Sequence, residues 1–247
     1  MLTRLLASGL LAGVIAGVLV AGIELATTVP LILEAERYEN AASHAGHHAS
    51  ATVPHDALIH RIHGGEPHDV DAPSVAERQP LTLRRAGLTA IATAGTAAGF
   101  ALMLLALMLA SGAQITPPTA ALWGAAGFAA TGLAPAFGLA PELPGSAEID
   151  LHARQLWWLA TAATTAFGLW GLWRWRTLGP GIGCLALIAI PHVAGAPVAH
   201  AYASAVPAEL AARFAASSLG IQAILWTTLG ALSGWFWLRL GRGEVAR

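Results

Sequence analysis

Lysine is absent from the 247 residues, cysteine occurs once, as Cys184, and charge of either sign is scarce. Asp, Glu, Lys and Arg make up 11% of the chain, against about 25% in a soluble globular domain. With no lysine and a formal net charge of −1, no basic surface is available for a nucleic-acid backbone. A lone cysteine excludes a disulfide scaffold, and 55% apolar residues exclude a disordered chain. No GxxxxGK[ST] loop occurs either, so any ATP hydrolysis has to come from another protein. What is present is a mean hydropathy of +0.60, long runs without one charge, and a polar stretch at 34–85 that gathers much of the charge. This combination specifies an all-α, polytopic integral membrane helix bundle whose first partner is the lipid bilayer.

A helix crosses the hydrocarbon core with roughly 20 mostly apolar residues. Six stretches qualify: 5–33, 86–110, 120–139, 155–173, 178–198 and 214–238. The fifth is broken by Gly179, Pro180, Gly181, Gly183, Pro191 and Pro197, so five spans is the alternative. The expected organisation is a first transmembrane segment (1–33), a His-rich extramembrane loop (34–85), a five-helix membrane bundle (86–238) and a short tail (239–247). Arg4 before an apolar run also suits a signal peptide. However, the run exceeds a usual h-region and no small-x-small cleavage site precedes the polar loop. Gly9, Gly13 and Gly17 repeat at the spacing that lets helix backbones approach in lipid, as do Gly95/Gly99 and Gly230/Gly234; all are expected to pack helices.

Orientation follows from arginine in short loops. Six spans with the amino terminus inside put Arg4, Arg174, Arg176, Arg239, Arg242 and Arg247 on the inner side, and Arg154 and Arg213 outside. Arg84–Arg85 argues the other way. The balance places both termini inside. Trp157, Trp158, Trp173, Trp175, Trp235 and Trp237 fall near span ends, as headgroup-level anchors do.

Seven of the ten histidines lie between 44 and 68, in SHAGHHASATVPHDALIHRIHGGEPHD: His44, His47, His48, His55, His60, His63 and His68. Imidazole suits Co, Ni, Cu and Zn, and short His-rich tracts are a compositional metal signature. His44 with His47, or His60 with His63, spans one turn, and Asp56, Glu66 and Asp69 add oxygen ligands. No fixed-spacing motif such as HExxH is present, so such a tract holds metal weakly and exchanges it. The competing reading is a solvated loop whose histidines bind nothing.

Ionisable groups at membrane depth are candidates for function. Glu24 lies in the first span, and Glu34 and Glu36 mark its exit at the mouth of the histidine loop. His192 follows Pro191, where a helix break frees carbonyls to face a cavity, and Gln222 lies in the last span. A carboxylate, an imidazole, an amide and free carbonyls form a stepping path for a divalent cation. The alternative is that Glu24 and His192 are structural hydrogen-bonding groups.

Five stretches carry a resemblance: PLILEAERYE (30–39), WGAAGFAATGLAPAFGLAPELPG (123–145), ARQLWWLATAATTAFGL (153–169), IPHVAGAP (190–197) and ARFAASSLGIQAILWTTLGALSGW (212–235). In their order they resemble CbtA, a family of predicted cobalt transporter subunits. The resemblance implies Co²⁺ as transported cargo, no permanently bound cofactor, and a small one-span partner with a histidine-rich end. This chain departs from the family pattern in carrying so many histidines in its own first loop.

The expected function is therefore a non-enzymatic membrane component of divalent metal uptake, for Co²⁺ or else Ni²⁺, in a bacterial inner membrane. A homo-oligomer is compatible with that expectation. Two other classes compete. One is a noncatalytic assembly subunit for the small partner. The other is a haem or copper redox protein, disfavoured because bis-histidyl haem needs two histidines at depth and His192 alone is clearly there, with His200 just beyond.

Overall fold

A computed structural model describes residues 1–49, 83–147, 149–199 and 204–245, and among these every regular element is helical. The elements are α1 (Leu2–Ala26), α2 (Thr28–Ala49), α3 (Leu83–Ala110), α4 (Pro117–Phe128), a π turn (Ala129–Leu133), the short α5 (Ala134–Ala136), α6 (Leu151–Arg174), α7 (Leu178–Ala194) and α8 (Ala208–Val245). Among the described residues three helices, Leu2–Ala26, Leu83–Ala110 and Ala208–Arg242, are long and apolar enough to cross a membrane. At 1.5 Å per residue the 28 residues of α3 reach about 42 Å. That exceeds the roughly 30 Å hydrocarbon core, whereas the 17 residues of α7 reach only about 26 Å.

The core is built where α1, α3 and α8 meet. Ala16, Val20, Ala97, Ala101, Leu104, Leu105, Met108, Leu225, Trp226 and Leu229 form one buried cluster, with Phe100 stacked on Trp226 at 4.9 Å between ring centroids. Lipid tails are as apolar as leucine, so close packing rather than apolar burial drives helix association here. The glycines make that packing close. A Cβ at Gly13 would fall on the Ala98 backbone, and one at Gly17 would fall on that of Ala94. On the other side of α8, Gly230 meets the backbone of Ala120 and Gly234 meets that of Thr116. Gly95 and Gly99 differ from the expectation: nothing lies within 4 Å of a Cβ at either, so they face away from the bundle.

These pairings fix directions. Gly9 meets Leu102 and Gly17 meets Ala94, so α1 and α3 are antiparallel. Gly234 with Thr116 and Gly124 with Trp226 make α4 antiparallel to α8. Trp123 beside Trp173, and Gly138 against Trp157, run α6 against α4–α5, while Gly168 on Ile188 and Gly171 on Cys184 run α7 against α6. Arg4 donates from Nε to the Trp237 carbonyl at 2.8 Å and sits over that indole at 4.1 Å. The two chain ends therefore lie at one end of the bundle.

The polar stretch that the sequence presents as a loop is helical at its start, because α2 carries on to Ala49. Glu, Ala and Arg between 34 and 42 are good helix formers, and their propensity suffices without an apolar stripe. Leu31 and Ala35 of α2 pack on Leu143, Val206 and Leu210, forming a second cluster at the end away from the termini.

Substituting Gly13 with leucine is expected to break the α1–α3 contact and to lower stability by about 1–3 kcal/mol, the usual range for overpacking. Gly22→Ala, where nothing lies within 4 Å, should leave stability unchanged. Thermal unfolding of both variants in one detergent makes the comparison.

Candidate functional site

The sequence-predicted residues fall in three separate places. Glu24, half-buried near the end of α1, accepts a hydrogen bond from the Thr93 hydroxyl of α3 at 2.8 Å. Thr28 follows, buried, with its own hydroxyl on the Glu24 carbonyl at 3.3 Å. Glu24 is thus an interhelical hydrogen-bond acceptor at the seam of α1 and α3. Glu36 pairs with Arg85 at 2.6 Å, binding α2 to the start of α3. Glu34 is exposed on α2.

His192 sits in the last turn of α7, its ring edge-on to Trp157 at 6.0 Å and to Phe137 at 6.2 Å. The carbonyl of Pro191 is taken twice, by Gly195 N–H at 3.1 Å and by Trp157 Nε1–H at 3.2 Å. Contrary to the expected break, α7 runs through Pro191 to Ala194, and Trp157 is a hydrogen-bonding partner of its last turn, beyond the anchoring role its position suggests. Helix α7 packs on α6 and does not touch α1, so Glu24 and His192 are not brought together. Positions 44, 47 and 48 lie on the last turns of α2, while His55, His60, His63, His68 and His200 lie outside the described residues. Among the described residues no three His, Cys, Asp or Glu side chains converge on one point.

Gln222 is the predicted residue that opens onto a cavity. About 510 Å³ of space lies between the π turn, α6 and α8, lined by Thr131, Gly132, Pro135, Arg154, Gln155, Trp158 and Gln222 among others. Gly132 admits the Gln222 amide oxygen where a Cβ would collide with it. The π turn supplies the floor. Pro135 has no N–H to return to the preceding turn, which favours a change of register there. The Thr131 hydroxyl donates to the Gly127 carbonyl at 2.8 Å, holding the widened turn.

Arg154, a lining residue from the first turn of α6, donates to the carboxylate of Glu142, which is outside the lining. Asp150 caps α6 by accepting from Ala153 N–H at 2.8 Å, which fixes where Arg154 projects. The two side chains remain 37% and 26% exposed, so this ion pair is worth no more than about 1 kcal/mol. Leu143, next in the chain after Glu142, belongs to the cluster under α2. Sequence reading missed Thr131, Glu142, Arg154 and Gln155. The available clue was Pro135 inside an otherwise unbroken apolar run.

The model of the family described as "Probable cobalt transporter subunit (CbtA)" matches residues 2–238. No curated protein and no solved structure matches the chain.

Replacing Thr93 with valine removes the donor to Glu24 and is expected to lower stability by about 0.6–1.7 kcal/mol, the range for hydrogen bonds between membrane helices. Thr93→Ser should retain it. Equal unfolding free energies for the serine and valine variants would show that the hydroxyl is not bonded.

Proposed function

The chain belongs to the family of probable cobalt transporter subunits, CbtA, and we propose that it forms the route by which Co²⁺, or else Ni²⁺, is taken up across a bacterial inner membrane. The observation that carries this reading is that α2, the helix leading into the histidine-rich sequence, packs through Leu31 and Ala35 on Leu143, two residues after the cavity-lining Pro141. Imidazoles there raise the local metal concentration, and Glu34 and Glu36 draw the partly hydrated ion inward. Glu24, His192 and Gln222 then act as weak ligands at depth, and weakness is required because a permeant ion must leave again.

Six passes are supported by the alternating directions of α1, α3, α4–α5, α6, α7 and α8. In that arrangement both termini share a side with Arg174 and Arg176. Arginine bias makes that side cytoplasmic. The family description speaks of one subunit among others, which supports a partner, and a small one-span metal-binding protein fits that place. Catalysis is not part of this reading, and energy for uptake is supplied elsewhere.

A second reading, a noncatalytic assembly role, is favoured by one observation: Glu24 and His192 sit on helices that do not touch. Co-purification of a partner, with no transport by wild type, would identify it. Radiometal uptake in cells lacking other cobalt importers separates the two. Uptake is expected to fall in Glu24→Ala and in His192→Ala, and wild-type rates in both would remove these residues from the path. Deleting residues 44–68 is expected to weaken uptake at low metal and to leave it unchanged at saturating metal.

A further inference from the structure

We propose that the cavity at the π turn is a lipid seat for one phosphatidylethanolamine molecule, with Arg154 and Glu142 reading the two charges of its headgroup. The seat depends on the bundle lying in a bilayer and not on which ion the protein carries.

The cavity has the shape and lining of a site for an amphiphile. Its volume of about 510 Å³ is within the range of about 300–1,000 Å³ that holds a small organic group. Leu139, Leu151 and Leu159 supply apolar wall for the upper part of an acyl chain. Leu151 and Leu159 remain 61% and 57% exposed, so the cavity opens sideways, where the rest of a lipid can stay in the bilayer. The one charged side chain in the lining is Arg154, in the first turn of α6 and one turn before Trp158. A guanidinium beside an indole at a span end suits headgroup level. Gln155, Trp158 and Gln222 are N–H donors in the lining without a hydrogen-bond partner among the described residues. They suit the ester carbonyls that lie below a phosphate.

Charge selects the headgroup. Arg154 gives Glu142 a single N–H, from Nη1, and keeps its other donors for a phosphate. Glu142 receives that bond on Oε2 and keeps Oε1 for a cation. Both side chains are partly exposed, so a headgroup can reach them. The ion pair thus offers an anion seat and a cation seat side by side. Phosphate joined by a short link to an ammonium fills both. Phosphatidylglycerol brings the phosphate without the cation and sets a net negative headgroup against Glu142, which costs affinity. Phosphatidylcholine brings a methylated nitrogen with no N–H to donate.

The test is native mass spectrometry of the full-length chain in non-ionic detergent, titrated with these three lipids carrying identical chains. Wild type is expected to bind phosphatidylethanolamine several-fold tighter than the other two. Glu142→Gln should weaken that binding about tenfold, as loss of a charge-assisted hydrogen bond does. The same variant should bind phosphatidylglycerol more tightly than wild type does. A gain in affinity cannot come from misfolding, which keeps the glutamate variant decisive. Arg154→Gln should weaken binding of all three, and so should Ala136→Phe, which fills the apolar part. Equal affinities in wild type, or preference for phosphatidylglycerol, overturns the headgroup assignment. An unchanged ranking in Glu142→Gln also overturns it. Binding unaffected by both Arg154→Gln and Ala136→Phe overturns the seat.

Discussion

Everything in this bundle depends on backbone meeting backbone. Where α1 crosses α3, and where α8 crosses α4, glycine on one helix lies against the main chain of the other, leaving no volume for a side chain. In lipid such contact supplies the dispersion energy that apolar burial supplies in water. It also fixes register. Gly13 on Ala98 brings the Glu24 carboxylate within reach of the Thr93 hydroxyl, and Gly234 on Thr116 sets the register that puts Gln222 against Gly132 about three turns away. The polar groups are aligned as a consequence of where the small residues are.

The membrane class and most helix positions were legible in the sequence, because a stretch without charge has few other readings. Helices α3, α6 and α8 cover the expected stretches 86–110, 155–173 and 214–238 with shifted ends, whereas the expected stretch 5–33 is divided at Thr27 between α1 and α2. Two features were not legible. The π turn sits in a run where hydropathy stays high throughout, and a widened turn changes hydrogen bonding without changing composition. The helical start of the polar stretch was hidden because periodicity reports apolar burial, and α2 beyond Ala35 is tied down by the polar contact of Glu36 with Arg85 instead.

The candidate site followed the same division. Glu24 and His192 stand out in sequence because ionisable groups are rare at depth, yet rarity says nothing about which neighbours a residue meets. Glu24 meets a threonine, and His192 meets two aromatic rings. Gln222, the least conspicuous of the three, is the one that reaches open space. Glu142 and Arg154 are twelve residues apart across a loop of prolines and glycine. Their pairing depends on how that loop folds back onto α6, which no local pattern encodes.

The bond from Arg4 to the Trp237 carbonyl joins positions 233 residues apart. A ribosome delivering this chain to a membrane releases α1 first and α8 last. The α1–α3 pair can close during synthesis, but the face of α1 that receives α8 stays open to lipid until the final helix arrives. Assembly is therefore completed from the carboxy terminus, and the last helix to emerge acts as the keystone. A chain cut short before α8 leaves α4 without the helix that its glycines fit, and leaves Arg4 of α1 without the Trp237 carbonyl and ring.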